Sequence, residues 1–225
     1  HNPTGTTLSR ERRERLLDLA ETYGFVVLED DPYGQLRYRG ERVPSLAALD
    51  DSGLVVRVNT FSKTIAPGVR TGWLIAHETL ADQLRRVNAG GRNTFTQGVV
   101  GRYCAEGRLE ENVADLVEAY GERRDHMLAC LDAEMPPGVE WSEPDGGFFV
   151  WVELPEGVDA EEMLPAAADE GVVYLPGHLF HPDDSGHNCL RISFSHVSLD
   201  EMERGVAALG RTVRSVANVE GAASD

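Results

Sequence analysis

The chain has 225 residues, 41% of them apolar, enough to bury a sizeable core as one large domain or two smaller ones. Acidic residues number 38 against 21 Lys and Arg, a formal net charge of −17, which argues against a nucleic-acid backbone or an anionic membrane surface as the main partner. No apolar run approaches the roughly 20 residues that span a bilayer, and Cys104, Cys130 and Cys189 lie far apart with no C-x-x-C pair, which fits a reducing cytoplasm better than a disulfide framework.

His1-Asn-Pro-Thr-Gly5 is a turn-forming cluster with no initiator Met before it, so the chain reads as cut into rather than begun. Ser9 is a candidate N-cap for a helix with Leu16, Leu17, Ala20 and Tyr23 on one side and Gly24 as its stop. FVVL at 25–28 then reads as a strand buried on both faces, ending in Glu29, Asp30, Asp31 and Pro32. LVVRV at 54–58 is a second such run, ending in Asn59, Thr60, Phe61, Ser62 and Lys63, and WLIA at 73–76 is a third. Buried strands with polar residues gathered at their C-terminal ends are the pattern of an open α/β sheet, which binds ligands outside those ends. The acidic cluster and Lys63 are therefore expected on one rim.

Residues 78–88 and 93–106 read as two short helices, and 109–134 as a long one carrying Leu116, Tyr120, Met127 and Leu131, stopped by Pro136, Pro137 and Gly138. Strands are expected at 139–142, 147–154, 172–175 and 189–195, and helices near 159–170 and 198–216. The tail after Val219 reads as frayed. This gives an α/β part over 1–108 and a long helix with a small α+β domain over 109–225.

Lys63 is the one lysine in a chain with twenty arginines. A guanidinium is delocalised and permanently protonated, so Arg cannot replace a primary amine that must attack an aldehyde. Lys63 lies seven residues before Arg70 and about thirty after Asp30-x-x-Tyr33, a set of groups that pyridoxal phosphate would need together. The cofactor's aldehyde takes an amine (Lys63), and its pyridine nitrogen takes a buried carboxylate (Asp30). Its ring oxygen takes hydrogen-bond donors (Tyr33, Asn2), and its phosphate takes Arg70 with the hydroxyls of Thr60 and Ser62.

Six blocks carry a family likeness: HNPTG at 1–5, EDDPYG at 29–34, TFSKTIAPGVRTGW at 60–73, DGGFFVWVELP at 145–155, PGHLF at 176–180 and LRISFS at 190–195. In this order and spacing they resemble the class I/II aminotransferases of the fold-type I pyridoxal-phosphate enzymes. The wording of two blocks is similar to the branch that acts on 2-aminoadipate, aromatic and branched-chain amino acids. The resemblance implies an α/β fold with part of a large cofactor-binding domain, its sheet open and mostly parallel, followed by a small α+β domain.

By that resemblance Lys63 is the Schiff-base lysine and the base that moves the substrate's Cα proton. Asp30, three residues before Tyr33, pairs with the pyridine nitrogen, while Asp31 points elsewhere. Asn2 and Tyr33 hold the ring oxygen, Thr60, Ser62 and Arg70 hold the phosphate, and Arg191, with Asn2, grips the substrate carboxylate. The implied reaction moves an amino group from an α-amino acid to a 2-oxo acid by a ping-pong course, in a cytoplasmic homodimer. A lyase or decarboxylase on the same scaffold is one alternative. A pyridoxal-phosphate-sensing domain of a transcription regulator is another, although such domains usually vary the acidic block toward E-D-D-Y-D.

His178, His181 and His187 invite a metal reading, but their Pro- and Gly-rich loop shows no clear carboxylate or Cys complement, so no metal is expected. Family members also carry, before the N-P-T-G block, a Gly-rich phosphate cradle, an aromatic that stacks on the pyridine ring, and further strands. The chain is thus expected to be the C-terminal part of a protein of roughly 400 residues. Its strands are expected to expose apolar edges and faces, and its cofactor binding in isolation to be poor.

Overall fold

Ser9 caps the first helix, its Oγ accepting from the Arg12 N–H at 3.3 Å. That helix, α1 (Arg10–Tyr23), stops where Gly24 turns left-handed at φ 67° and returns its N–H to the Ala20 carbonyl. The computed structural model describes residues 1–87, 93–183 and 185–223, with side chains as far as residue 217. Two compact units divide them: residues 8–118 form one, and residues 1–7 with 119 onward form the other. The long helix expected from 109 runs Arg108–Glu134 and contains the division between Glu118 and Ala119.

In the first of these units α1 leads to β1 (Val27–Asp30), then to the short helix α2 (Leu46–Leu49), β2 (Val55–Thr60) and β3 (Gly72–Ile75). The sheet order is β1-β2-β3, with β1 parallel to β2 and β3 antiparallel to it. Ala20, Val27, Leu46 and Val55 form a small buried core, with Leu16, Leu17, Ala47 and Leu54 packed on it. The helices α3 (Glu78–Val87) and α4 (Thr94–Ala105) follow, and α5 (Arg108–Glu134) begins in this unit. Asn88, the last residue expected in α3, lies outside the described residues.

Two expectations for these strands are corrected. β1 and β2 begin and end later than their apolar runs, so Glu29 and Asp30 lie within β1 rather than beyond it. Burial on both faces holds at Val55 and Val56 of β2 but fails in β1 and β3: Leu28 is 66% exposed, Leu74 45% and Ile75 56%. The physical reason is that β1 and β3 are the sheet's edges, and on β1 the small core covers only the face that carries Val27. The expected exposure of apolar strand surface is what is found.

Glu29 is tolerated in β1 because it is fully used. It is 8% exposed, and its two carboxylate oxygens accept the N–H groups of Leu46 and Ala47 at 2.7 and 3.1 Å, at the otherwise unsatisfied start of α2. Arg13 reaches the same carboxylate at 3.4 Å and Arg57 at 3.8 Å.

The other unit contains the rest of α5, then β4 (Glu140–Trp141), β5 (Phe149–Glu153), α6 (Ala160–Asp169), β6 (Leu175–Pro176), β7 (Cys189–Ser193) and α7 (Leu199–Ala223). Its sheet is antiparallel in the order β4-β5-β7-β6. Alternation sends Val150, Val152, Leu190 and Ile192 into the core, which also takes Met163 and Ala167 from α6 and Met202, Val206, Leu209 and Val213 from α7. The expected strand at 172–175 shrinks to two residues, and the last helix continues past Val219 to Ala223, with Ser224 and Asp225 outside the described residues. Buried Arg124 donates from Nε to the Pro144 carbonyl at 2.8 Å, fixing the turn before β5.

Asp159 caps α6, accepting from the N–H groups of Glu161 and Glu162 at 2.7 and 3.2 Å and standing 3.1 Å from His187 Nδ1. Burial pushes its pKa up, but those N–H bonds and His187 outweigh it and hold the carboxyl below its ordinary value. Stability from a carboxyl held low is present above the unfolded-state value and lost as pH falls through the folded one. Asp159→Ala should therefore cost about 1 to 2 kcal/mol at neutral pH. The gap should narrow in the acid range below the ordinary aspartate pKa, as denaturation of both proteins across pH will test.

Candidate active site

Parallel pairing of β1 with β2, in register from Val27↔Val55 to Asp30↔Val58, brings both C-terminal ends to one edge of the sheet. Asp30 closes β1 and Tyr33 follows in the next turn. Thr60 closes β2 and Lys63 lies in the turn just after it. The antiparallel return of β3 places Gly72 opposite Thr60, so Arg70 and Thr71 stand at that edge too. Asp30, Tyr33, Thr60, Ser62 and Arg70 thus share one rim with Lys63 through strand topology alone, at the carboxyl ends of the strands where open α/β sheets bind ligands.

The hydroxyls at the rim converge. Thr60 Oγ1 donates to Ser62 Oγ at 2.9 Å and accepts the Ser62 N–H at 3.1 Å, so both lie within one small turn. The Phe61 carbonyl accepts from the N–H groups of Ile65 at 2.8 Å and of Thr64 and Ala66 at 3.3 Å, which curls the backbone tightly around half-buried Lys63. Thr64 is 2% exposed, and its carbonyl accepts from Asn112 Nδ2 at 2.7 Å. Helix α5 thereby anchors the residue next to the lysine, a role no sequence signal gives to Asn112.

Arg70 follows the 3-10 turn Pro67–Val69 and takes the left-handed conformation, φ 44° and ψ 37°. Among the described residues it is the one non-glycine with positive φ. The Thr71 hydroxyl donates to the Val69 carbonyl at 2.9 Å and so braces that turn.

The three neighbouring acids separate by strand alternation. Glu29 and Asp31 both meet Arg57, Asp31 at 2.5 Å, and the Arg57 guanidinium also lies 5.5 Å from the Trp73 ring centroid. Asp30, between them, belongs to the opposite face of β1. It is exposed in these residues, where a buried carboxylate is expected. The reason is the same as for Leu28: that face of β1 is the one the small core leaves uncovered. Tyr33 is half-buried, its carbonyl accepting the Leu36 N–H at 2.8 Å.

Asn2 and Arg191 belong to the other unit and touch directly, Arg191 Nη1 donating to Asn2 Oδ1 at 2.7 Å. That bond makes the remaining amide nitrogen of Asn2 its donor end. The Asn-Pro-Thr-Gly turn is seated tightly: Gly5 has φ 71°, and a Cβ there would lie 2.7 Å from Pro144 Cβ. Arg191 sits at the centre of β7, opposite Trp151, with its guanidinium 3.9 Å from the Phe149 ring centroid and 5.0 Å from that of Phe180. Sequence reading missed both phenylalanines, although both lie in the blocks that carry the family likeness.

The histidines of the 177–187 loop are occupied among themselves. The rings of His178 and His187 stack with centroids 5.4 Å apart, His178 reaches Glu161 at 3.6 Å, and His181 Nδ1 meets Ser185 Oγ at 2.9 Å. Among the described residues no group of three or more His, Cys, Asp or Glu side chains is arranged to hold a metal.

The donor set fits pyridoxal phosphate: one primary amine, a carboxylate and a phenol on a parallel-sheet rim, and two hydroxyls 2.9 Å apart beside an arginine. Residues 1–209 match the family described as aminotransferase class I and II. Among similar proteins, the aromatic-amino-acid aminotransferase 1 of Thermococcus litoralis is 40% identical over 95% of this chain and 52% of its own. The 2-aminoadipate transaminase of Thermus thermophilus is 34% identical over 96% and 55%. The crystal structure of Pyrococcus horikoshii kynurenine aminotransferase in complex with PMP, KYN and KYA superposes with a TM-score of 0.92 at 39% identity, covering 96% of this chain and 54% of that one. The chain therefore spans about half the length of the relatives it matches. With sequence and fold both matching over nearly all of its residues, this chain belongs to the class I and II aminotransferases.

Proposed function

We propose that the protein is a pyridoxal-phosphate-dependent aminotransferase that moves an amino group from an α-amino acid to a 2-oxo acid, and that this chain supplies its lysine, its phosphate arginine and its carboxylate arginine. The observation that carries the reading is the rim of the β1/β2 sheet, where the chain's one lysine stands with Asp30, Tyr33, Thr60, Ser62 and Arg70. The relatives' names extend the reading to aromatic or 2-aminoadipate-like substrates.

Pyridoxal phosphate, when bound, serves as an electron sink that makes the substrate's Cα–H bond acidic. This chain's residues do the rest. Lys63 would supply the amine that holds the cofactor and would take the proton from Cα; its turn is anchored through Thr64 and Asn112. Asp30 would hold a proton on the pyridine nitrogen, and Tyr33 would donate to the ring oxygen. The Thr60 and Ser62 hydroxyls with the Arg70 guanidinium would hold the phosphate. Arg191, its orientation shared with Asn2 Oδ1, takes the substrate carboxylate by a two-pronged pair. No helix among the described residues is long and apolar enough to cross a membrane. The three free cysteine thiols support a reducing, cytoplasmic setting.

Adding pyridoxal phosphate to the full-length protein should give an absorbance band that amino acids convert and oxo acids restore. Lys63→Ala should abolish the band and lower kcat by about 10³-fold or more. A band that forms without Lys63, or never converts, would refute transamination.

Arg70 gives a separate test, because function and backbone comfort pull in opposite directions there. Arg70→Gly relieves a left-handed residue and should leave stability unchanged or raise it by up to about 1 kcal/mol. Cofactor affinity should nonetheless fall by about 10- to 100-fold, as titration of the variant will measure.

The same reading makes the protein a homodimer. Phe95 and Val99, 80% and 53% exposed one turn apart on α4, supply apolar surface suited to such an assembly. Sedimentation of the full-length protein should give twice the chain mass.

A further inference from the structure

Arg191 is held by more than Asn2. Along β5 and β7, residues 149, 151, 191 and 193 fall on the face opposite the buried set Val150, Val152, Leu190 and Ile192. Phe149 lies one diagonal step from Arg191 and puts its ring 3.9 Å from the guanidinium carbon, in van der Waals contact. Phe180 approaches from the 3-10 turn Gly177–Phe180, with its ring 5.0 Å from the same carbon. Trp151, 7% exposed and paired with Arg191 in the sheet, meets Phe180 edge-on at 5.8 Å and 79° and so fixes that ring.

The turn that carries Phe180 is itself tightly seated. A Cβ at Gly177 would fall 2.5 Å from both Cys189 Cβ and the Gly186 carbonyl oxygen, so the turn's backbone lies directly on β7. Phe180 is thus presented by a packed element rather than a loose loop, and the chain Trp151–Phe180–Arg191–Phe149 forms a partly desolvated aromatic enclosure around one cation.

We propose that Phe149 and Phe180 are positioning residues for Arg191: they fix the plane of its guanidinium, and so set how tightly the protein holds the carboxylate of its amino and oxo acids. The proposal rests on the reading of Arg191 as the carboxylate-binding residue. A flexible arginine must be ordered each time a carboxylate arrives, whereas a planar fork already held between aromatic rings meets it in one orientation. Aromatic faces also stabilise the cation without competing for the in-plane N–H donors that a carboxylate uses.

The test uses the full-length, cofactor-loaded protein and compares an α-amino acid with the matching amine that lacks the carboxylate. Phe149→Leu and Phe180→Leu, made separately, should each raise KM for the amino acid by about 5- to 30-fold and leave kcat nearly unchanged. Binding of 3-phenylpropionate, an unreactive carboxylate followed by calorimetry, should weaken by the same factor. Turnover of the amine should stay as in the parent protein. An equal loss on acid and amine would mean a merely structural role and overturn the proposal, as would unchanged affinity for the acid. Arg191→Lys separates the two readings. If it weakens acid binding while the Phe variants do not, the positioning proposal fails and Arg191 keeps its role. If Arg191→Lys leaves acid binding unchanged, the assignment of Arg191 fails and the proposal with it.

Discussion

The parallel ladder between Val27–Asp30 and Val55–Val58 is the constraint on which the candidate cofactor site depends. Parallel strands end on the same side, so residues thirty positions apart in sequence are delivered to one rim without any side chain having to pull them there. The ladder itself is short, and among the described residues no further strand pairs with its β1 edge. What compensates is polar: Arg57 on β2 bridges Glu29 of β1 and Asp31 just after it, and Glu29 passes the tie on to the start of α2.

That polar tie has a cost. Arg57 and Glu29 are both largely shielded from water, and charges in such a setting lose several kcal/mol of hydration each unless their hydrogen-bonding capacity is used. Glu29 meets the condition with two backbone N–H groups and two arginines. An apolar pair could stabilise the same contact at least as well. A charged pair does something an apolar one cannot: it engages Glu29 and Asp31 on one face of β1, and by alternation leaves Asp30 to the other. Strand register and charge pairing together therefore decide which of three consecutive acids is available at the rim.

Much of this was legible in the sequence, for identifiable reasons. Lys63 stood out because composition made it unique, and Ser9 and Gly24 marked their helix because capping chemistry is local. The strands were placed by their apolar runs but misjudged in burial, because a continuous run such as Phe25–Leu28 does not say how many neighbours the sheet has on each side. Asn112 and the Phe149–Phe180 enclosure were invisible for a related reason. Their importance comes from contacts 11 to 48 positions apart in sequence, formed only once helix α5 and the β5–β7 sheet are built. The β6 strand failed to reach its expected length since Val172 and Val173 spend their turn leaving α6, where the Val172 N–H returns to the Ala167 carbonyl.

The two arginines proposed to bind anions are prepared in opposite ways, and the difference follows from where each sits. Arg70 lies on an exposed turn, and its placement is enforced through the backbone, by a left-handed conformation held between the Pro67–Val69 turn and the Thr71 hydroxyl. Such a conformation stores of order 1 kcal/mol of strain. Arg191 lies on a central strand with relaxed backbone, so its placement is enforced through the side chain, by Asn2 and two aromatic rings. A phosphate that stays bound through every turnover needs a fixed anchor, for which backbone strain is an acceptable cost. A carboxylate that must enter and leave in each half-reaction needs a fork that is already aligned yet binds no tighter than release permits. Aromatic enclosure suits the second task, because it orients the cation while leaving the strong, in-plane hydrogen bonds to the ligand itself.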